Sequence, residues 1–591
     1  MAKCIWCFFM VTMVSCGPVT KEDQIIKSKS PPNVILIVSD DQGWGDLSIH
    51  GNTNLETPNI DSLSENGVTF SNFYVSPVCS PTRAELLTGR YHPRAGVYST
   101  SAGGERLNLD ETTMADVFKH AGYKTAAYGK WHNGMQNPYH PNSRGFDDFY
   151  GFCSGHWGNY FSPMLEHNGK IVQGKGFLVD DLTSRAINFI QKNKENPFFL
   201  YLPLNTPHSP MQVPEKFWTK FEHADLELKY QGAELENENF TRAALAMVEN
   251  IDWNVGRIRN HLKQLHLEEN TIVIYLSDNG PNDWRWNNGM RGKKGSTDEG
   301  GVLSPFFIQW KNRVPKGKTV NEIASAIDVL PTLTALTGVK METAKKLDGS
   351  NLTPLIFANS IHWKPRLVYN HWKESTSIRT QKYRLDNEGR LYDMEEDLSQ
   401  HIDVSEKFPT LTDSLKKARI QWEKDVLPIE FMDERPFPVG DPDFTYTQLP
   451  ARDGVAHGNI ERSNKYPNCS FFTNWIAMGD EISWDIEVLQ DGLFEVEIYY
   501  TCSIENVGSV FAVEFGNNKL VHTITEAFDS PLRGMENDRD PRIESYVKDF
   551  KPLKVGTIEL AKGRGMLVMK ADHIANREVM DLRLILLKKL K

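Results

Sequence analysis

Acidic and amide side chains follow two apolar runs of the sequence, at the point where each run ends. Asp40 and Asp41 follow the run that starts at Asn33, and Asp278 and Asn279 follow TIVIYLS. Carboxylate and amide oxygens are the ligands that hard cations such as Ca²⁺ prefer, and neither position has the Cys or His cluster typical of zinc. The four residues predict one divalent-cation site. Helix capping is the alternative for either pair alone.

Basic side chains at comparable positions predict a pocket for an oxyanion. They are Arg83, Lys130, His132, His208 and Lys294. Lys294 lies in the glycine-rich stretch RGKKGSTDEGG, whose backbone amides can approach a ligand closely. A cation that polarises one oxygen, with bases that neutralise the others as charge develops, suits a tetrahedral oxyanion. A single histidine is more often structural, so the prediction depends on the five groups together.

The stretch VSPVCSPTRAELLTGRY contains a lone cysteine, Cys79. SPTR predicts a helix start, with Ser80 as the N-cap and Pro81 at the first helical position. Cys79 would then face the positive end of the helix dipole beside Arg83, an environment that lowers the pKa of a thiol. A thiolate nucleophile fits this position, and a buried structural cysteine is the alternative.

Four short apolar runs that end in ligand-type residues predict strands buried on both faces. They are NVILIVSDD, KTAAYGKWH, PFFLYLPLNTPH and TIVIYLSDNG. Such runs are typical of a parallel sheet covered by helices, where ligands bind outside the carboxyl ends of the strands. Apolar residues at helical spacing predict crossover helices over Thr113–Tyr123, Leu178–Asn193 and Ala243–Leu265. The four strands would deliver their polar residues to one edge.

The predicted fold class is α/β, and 591 residues are enough for several domains. Residues 33–350 are expected to form a mostly parallel central sheet sandwiched by helices, and residues 351–428 a small antiparallel subdomain. A proline-rich linker at 429–445 leads to an appended all-β sandwich at 446–591. The sandwich is interpreted as either a carbohydrate-binding module or a structural cover for the large domain.

The first residues predict export. Lys3, the apolar run from Ile5 to Val14 and the small residue Ser15 indicate a signal peptide at 1–16. MVSC resembles a bacterial lipobox, so one expectation is a lipoprotein of the periplasm or outer membrane, lipidated at Cys16 and tethered by residues 17–32. Simple secretion is the other. Membrane contact is expected only through such a lipid anchor.

Charge and cysteine content exclude two classes of protein. A formal net charge of -11 argues against a nucleic-acid-binding surface. Beyond the signal, the cysteines are Cys79, Cys153, Cys469 and Cys502. These do not form a disulfide framework, although a bridge between Cys469 and Cys502 would fit.

CSPTRAELLTGR resembles the signature of the formylglycine-dependent sulfatases of the alkaline phosphatase superfamily. That signature is Cys or Ser, any residue, Pro, any residue and Arg, followed by Thr-Gly. The matching residues are Cys79, Pro81, Arg83, Thr88 and Gly89. The resemblance extends from Asn33 to about Val426 and includes SDDQGWGD, GKWH, TPHSP, SDNG, KGSTDEGG and IDVLPT in the family's order. It implies an alkaline phosphatase-like fold and a bacterial polysaccharide sulfatase.

The resemblance also implies cofactors and roles. Cys79 would be oxidised to formylglycine (3-oxoalanine) by a formylglycine-generating maturation enzyme, and one oxygen of its hydrate would attack sulfur. One Ca²⁺ per chain, rather than Mg²⁺, is expected. The matching ligands are Asp40, Asp41, Cys79, Asp278 and Asn279. Arg83 matches the group that orients the hydrate, and the sulfate-binding residues matched are Lys130, His132, His208 and Lys294. His208 or Lys294 would protonate the leaving alcohol, and His132 would assist sulfate release.

Two stretches beside these motifs, HWGNYF and DWRWNNGMR, predict sugar contacts. The predicted substrate-binding residues are His156, Trp157, Trp284, Arg285 and Arg291. Aromatic faces with Arg and His stack on sugar rings and bind hydroxyls and anions, whereas ordinary loop packing is the alternative. The expected substrate is a sulfated polysaccharide or its oligosaccharides, of algal galactan or ulvan type. Two other functions stay open: a phosphodiesterase or phosphonate monoester hydrolase of the same superfamily, and a non-catalytic protein that binds sulfated glycans.

Overall fold

The computed structural model describes residues 31–343, 345–358, 363–428 and 434–590. The predicted signal peptide with Cys16, and nearly all of the predicted tether, lie outside these residues. Within the described ranges, no helix combines the length and the apolar character needed to cross a bilayer.

A ten-stranded sheet forms the centre of the large domain, and a two-stranded sheet, β3 with β12, accompanies it. The strands of this domain are β1 Asn33–Asp40, β2 Val68–Phe70, β3 Phe73–Tyr74, β4 Lys124–Lys130, β5 Asp148–Phe152, β6 Met164–His167, β7 Lys170–Gln173, β8 Phe198–Pro207, β9 Thr271–Ser277, β10 Phe306–Trp310, β11 Lys318–Val320 and β12 Ala324–Ser325. The large sheet has the spatial order β11-β2-β10-β9-β1-β8-β4-β5-β6-β7.

The middle of this sheet is parallel. Strands β9, β1, β8, β4 and β5 pair in parallel, with Ile35 opposite Leu200 on one side and Val273 on the other, while β10, β6 and β7 pair antiparallel. Every residue of β1, β8 and β9 is buried, which explains their continuous apolar runs. The predicted α/β fold class is confirmed.

Helices cover both faces of the sheet. They are α1 Pro58–Glu65, α2 Cys79–Thr88, α3 Met114–His120, α4 Leu178–Lys192, α5 Glu215–Phe221, α6 Glu238–Gln264, α7 Glu299–Val302, α8 Val329–Thr337 and α9 Thr353–Phe357. Alternate residues of β1 face opposite cores: Ile35 packs in the cluster that contains α4 and α6, and Leu36 in the cluster that contains α2, α3 and α8. The sheet is therefore the middle of three layers.

A four-stranded antiparallel sheet and a helix follow. These elements are β13 Val368–Trp372, β14 Ser375–Arg379, β15 Tyr383–Leu385, β16 Leu391–Asp393 and α10 Pro409–Val426. Leu415 of α10 packs on Ile378, Leu385 and Leu391 of the sheet.

Two six-stranded sheets make up the C-terminal sandwich, which also carries a short hairpin. The strands are β17 Phe437–Val439, β18 Tyr446–Pro450, β19 Val455–His457, β20 Glu461–Arg462, β21 Phe472–Thr473, β22 Glu481–Val488, β23 Gly492–Thr501, β24 Val510–Phe515, β25 Asn518–Thr523, β26 Leu532–Arg533, β27 Val547–Lys548, β28 Lys551–Leu560, β29 Gly563–His573 and β30 Asp581–Lys589. One sheet is β17-β22-β29-β24-β25 with β19 on β22. The other is β20-β21-β30-β23-β28 with β18 on β30.

The sandwich begins earlier in the chain than the sequence indicated. Strand β17 lies inside the predicted linker, pairs with β22 and buries Phe437 and Val439 in the sandwich core. Its Pro438 is tolerated because β17 is an edge strand, where a missing amide donor costs least. The bridge considered between Cys469 and Cys502 is not formed, because both cysteines are free. Each thiol donates to a backbone carbonyl instead.

Candidate active site

Four adjacent strands deliver polar residues to one edge of the sheet. Strands β9, β1, β8 and β4 are neighbours in that order. The residues at or just after their carboxyl ends are Asp278, Asn279, Asp40, Asp41, His208, Lys130 and His132. All are buried. The topology thus brings together residues that are up to 239 positions apart in the chain, as expected for ligands outside the ends of parallel strands.

Oxygen ligands converge at this edge. Ligand atoms of Asp40, Cys79 and Asp278 lie within 4.8 Å of one another, and Asp40 and Asp41 form a second such group with His208. The amide nitrogen of Asn279 donates to Asp41 Oδ1 at 2.9 Å. Asn279 Oδ1, by contrast, is buried without a hydrogen-bond partner in the described part of the chain. An unpaired oxygen beside three carboxylates fits a hard divalent cation such as Ca²⁺ or Mg²⁺.

Three cationic side chains balance the three carboxylates. Lys130 Nζ lies 2.8 Å from both oxygens of Asp40, and Lys294 Nζ lies 2.7 and 2.8 Å from those of Asp41. The Arg83 guanidinium donates twice to Asp278 Oδ2, at 3.1 and 2.7 Å, and also to the Lys130 carbonyl. Buried charges in proteins are normally paired in this way. The site therefore contains three positive and three negative charges close together at the buried edge of the sheet, and they nearly cancel.

Helix α2 presents Cys79 to this set. The helix begins at Cys79 with Val78 as its N-cap, two positions before the predicted start, so the assignment of Ser80 as N-cap is wrong. Pro81 is then the third helical residue, which is tolerated because the first four amides of a helix lack intrahelical acceptors. Thr82 fixes the segment that precedes the helix, since its Oγ1 accepts a hydrogen bond from the Ser76 amide at 2.9 Å.

The thiol of Cys79 is not acidified, contrary to the sequence expectation. Burial raises its pKa, and this outweighs the opposing charges of Lys130 and Lys294. Burial likewise raises the pKa of Asp278 to about 6. Burial would also raise the pKa of Asp41, but His208, Lys294 and Lys130 together hold it below its usual value. A thiolate nucleophile is disfavoured, whereas a chemically altered Cys79 is not.

The two histidines are held by backbone carbonyls. His208 Nδ1 donates to the Ser209 carbonyl at 2.6 Å, so its Nε2 faces Asp41 Oδ2 at 3.6 Å. His132 Nε2 donates to the Thr100 carbonyl at 2.8 Å, and its Nδ1 is buried without a described partner. Burial lowers the pKa of His208 to about 4 and that of His132 well below its usual value. His132 also has a left-handed backbone, with φ 63°, a strain that is tolerated at functional sites.

A cavity of about 790 Å³ opens onto these groups. Its lining includes Asp41, Cys79, His132, His208, Lys294 and the predicted sugar contact His156. The His156 ring stacks on His208 with centroids 5.8 Å apart, and its Nε2 is buried without a described partner. The volume is sufficient for a ligand of oligosaccharide size.

The other four predicted sugar contacts do not line this cavity. Trp157 stacks on Phe152 and lines a separate cavity of about 500 Å³ between the large domain and the sandwich. Trp284 stacks on Tyr230. Arg291 pairs with Asp298 at 3.4 Å.

Arg285 is fully buried, so its assignment as a sugar contact is corrected. Its guanidinium donates to Asp46 Oδ2 at 2.7 Å and to the Asp41 carbonyl at 3.0 Å. It therefore supports the loop that carries the predicted cation ligands.

Several lining residues gave no signal in the sequence. They are Trp372 and Lys373 of the four-stranded subdomain, and Tyr466, Asn468, Asp540, Arg542 and Glu544 of the sandwich. The four sandwich residues Asn468, Asp540, Arg542 and Glu544 contact large-domain residues that are 303 to 384 positions away, and no local motif marks them.

A second group of metal-type ligands, His140, Cys153 and Glu166, lies outside this cavity. His140 Nε2 contacts Glu166, and its Nδ1 accepts from the Asn142 amide at 3.2 Å. Glu166 Oε2 accepts from Gln448 at 2.9 Å, and burial raises the pKa of the Cys153 thiol. The imidazole and the carboxylate are satisfied by protein groups, so this is a buried hydrogen-bonded pair.

Comparisons with known proteins show the family of this chain. The family model described as Sulfatase matches residues 32–339. The N-acetylgalactosamine-6-sulfatase of Mus musculus is 31% identical over 375 residues, which cover 57% of this chain and 69% of that protein. The crystal structure of Ps i-CgsB in complex with k-i-k-neocarrahexaose is 32% identical, covers 68% of this chain and 96% of its own, and has a TM-score of 0.61. A phosphonate monoester hydrolase of Agrobacterium radiobacter, 19% identical over 67% of this chain and 96% of its own with a TM-score of 0.53, shares the fold alone.

Proposed function

Because this chain belongs to the sulfatase family and is a sulfuric ester hydrolase, we propose that it removes sulfate from a sulfated galactan or its oligosaccharides, with an ulvan-type glycan as the second choice. The observation that carries the proposal is that Cys79 meets three carboxylates and a set of basic side chains at one sheet edge, onto which a cavity opens. Two relatives favour the galactan. One is named for N-acetylgalactosamine 6-sulfate, and the other holds k-i-k-neocarrahexaose.

The residues present fit the cofactors that the family resemblance implies. We propose that Cys79 is the formylglycine precursor and that Ca²⁺ is held by Asp40, Asp41, Asp278 and Asn279, with the modified Cys79 as a further ligand. When bound, these groups supply a nucleophilic hydrate oxygen and polarisation of the sulfate. A set rich in protein oxygens suits Ca²⁺ better than Mg²⁺, which keeps several waters.

The remaining residues orient the modified Cys79 or act on the substrate. Arg83, fixed between Asp278 and the Lys130 carbonyl, orients the modified Cys79. Lys130 and Lys294 neutralise the sulfate oxygens. Lys294 donates the proton to the leaving sugar oxygen, or His208 does so once the negative charge of the bound sulfate ester favours its protonated form. This proton matters because sugar alkoxides leave poorly. His132, with its buried unpaired Nδ1, assists sulfate release.

Export and maturation complete the proposal, and both derive from the sequence. The signal-like residues 1–16 support export to the periplasm or outer membrane as a lipoprotein, with secretion as the alternative. The partner required for activity is a formylglycine-generating enzyme. Mass spectrometry of the Cys79 peptide, with and without that enzyme, tests this step, because an aldehyde in place of the thiol has a distinct mass.

The function is tested by the anion released. The enzyme, co-expressed with a formylglycine-generating enzyme, is incubated with carrageenan, ulvan and glycosaminoglycan oligosaccharides and with phosphodiesters. Released sulfate is measured by ion chromatography, and hydrolysis of the phosphodiesters is measured as the alcohol and the phosphomonoester that they yield. Sulfate from a galactan, lost in Cys79→Ala, is the expected result. Sulfate from another glycan alone would show that the proposed substrate is wrong, and preferential hydrolysis of the phosphodiesters would favour the phosphodiesterase function. Binding without any released anion would indicate a glycan-binding protein.

A further inference from the structure

The C-terminal sandwich forms one wall of the active-site cavity. Two of its segments, 466–468 and 540–544, line the same cavity as Cys79 and His208. These two segments, called here the sandwich wall, are tied together: Asn464 donates to the Ile543 carbonyl at 2.9 Å, and the hydroxyls of Ser463 and Ser545 are 2.7 Å apart. A carbohydrate-binding module that acted independently would not need to reach the catalytic residues.

Buried contacts fix the sandwich wall to the large domain. The Gly155 amide donates to Asn468 Oδ1 at 3.1 Å, and the Cys469 thiol donates to the His156 carbonyl at 3.0 Å. A Cβ atom on Gly155 would lie 2.6 Å from His132 Nε2 and 2.8 Å from Asn468 Nδ2. Asn468 therefore faces His132 across a glycine that has no room for a side chain. These contacts hold the wall against the large domain beside His132 and His156.

Glu544 of the wall has one carboxylate oxygen in use and one free. Its Oε1 accepts from the Ser209 hydroxyl, next to His208 in the chain. Its Oε2 is buried and has no hydrogen-bond partner in the described part of the chain, as is true of His156 Nε2 in the same lining. A buried carboxylate oxygen that stays unpaired is costly, so its retention at a cavity points to an incoming donor.

We propose that the sandwich is part of the active site and that Glu544 determines specificity, by accepting a hydrogen bond from a free hydroxyl of the sugar that carries the sulfate. This inference rests on the proposed function, since it needs a sugar in the cavity. A carboxylate binds a hydroxyl well and repels a second sulfate ester. The enzyme therefore prefers a sugar whose hydroxyl beside the cleaved sulfate is unsubstituted.

The experiment compares Glu544→Ala and Glu544→Gln with wild type on three substrates. These are a glycan identified by sulfate release, the same glycan with a second sulfate on the adjacent hydroxyl, and an aryl sulfate without hydroxyls. Glu544→Ala should lower kcat/KM on the first glycan about 10- to 100-fold, mainly through KM, and by a much smaller factor on the aryl sulfate. Glu544→Gln should raise the preference for the doubly sulfated glycan at least about five-fold, because the repulsion is gone.

Two controls separate recognition from support. Glu559→Gln makes the same change at an exposed position of the same sandwich and should leave all three rates as in wild type. Ser209→Ala removes the partner of Glu544 Oε1. Equal losses on all substrates in Glu544→Ala and Ser209→Ala, or an unchanged glycan preference in Glu544→Gln, would show that Glu544 only holds the His208 loop and would overturn the proposal. If wild type cleaves the aryl sulfate but no glycan, the proposed function itself fails, and this inference with it.

Discussion

Lys294 and Asp41 form a two-point contact at the centre of the site, with Nζ 2.7 and 2.8 Å from the two carboxylate oxygens. The carboxylate is fully buried and the ammonium is partly exposed to the cavity. Burial would lower the pKa of Lys294, but Asp41 and its neighbours raise it above the usual value. The ammonium therefore keeps its charge at neutral pH and presents it to an incoming anion.

Lys294→Met should lower kcat for sulfate release about 100- to 1,000-fold, the usual cost of removing one preorganised electrostatic group. Lys293→Met is the matched variant, because Lys293 is adjacent, lines the same cavity and pairs with Asp283 at 2.8 Å. It should lower kcat less than about ten-fold, since its ammonium is paired with Asp283 and does not contact Asp41. Similar losses in both variants would assign the effect to general cavity charge.

Removal of the divalent cation should lower both activity and thermal stability. A cation that binds the folded state alone at 100 times its Kd adds about 2.7 kcal/mol, so chelation should lower Tm and added Ca²⁺ should restore it. Differential scanning fluorimetry with EDTA, Ca²⁺ and Mg²⁺ measures this without turnover. Asn279→Ala should shift the Ca²⁺ titration to higher concentration, because the unpaired Oδ1 is lost. A Tm unaffected by chelation in wild type would contradict a bound cation.

Glu85 should make the stability of helix α2 dependent on pH. Burial raises the pKa of this glutamate from 4.5 to about 8. The folded state therefore holds a proton that the unfolded chain has already lost, so this contribution to stability is complete below pH 4.5 and is lost as pH rises to about 8. Glu85→Gln keeps the acceptor for the His92 amide, which is 3.2 Å away. Between pH 5 and pH 8 the Tm of this variant should decrease less than the Tm of wild type. Glu65→Gln makes the same change at an exposed position and should show the same dependence of Tm on pH as wild type. If all three proteins showed the same dependence, Glu85 would carry no such proton.

The strand-end residues were predictable because one local pattern carries both their structure and their chemistry. A buried apolar run fixes a strand, and the residue that follows it must lie at the sheet edge. The sequence alone therefore places Asp40, Lys130 and Asp278 together. Their exact pairing could not be predicted, because it depends on the side-by-side order of β9, β1, β8 and β4.

Residues whose role is set by distant partners were not predictable. The pKa of Cys79 depends on its burial, which the adjacent residues in the sequence do not determine. Glu544 meets Ser209 across 335 positions, and Arg285 meets Asp46 across 239. An arginine beside a tryptophan is typical of a sugar-binding site. The fold is needed to show that the Arg285 guanidinium binds Asp46 and the Asp41 carbonyl.

Arg285→Met should therefore act on stability. The Arg285–Asp46 ion pair is almost fully buried, and breaking such a pair by removing one partner costs about 3–5 kcal/mol, because the other charge stays behind. Urea denaturation should show this loss in the single variant Arg285→Met. The double variant Arg285→Met/Asp46→Asn should lose less free energy of unfolding than the sum of the two single variants, since the two side chains interact. Because Arg285 also donates to the Asp41 carbonyl, the Ca²⁺ concentration needed for half-maximal stabilisation should rise as well. A sugar contact would behave differently: KM for the glycan would increase while the urea midpoint and the Ca²⁺ titration stayed at their wild-type values.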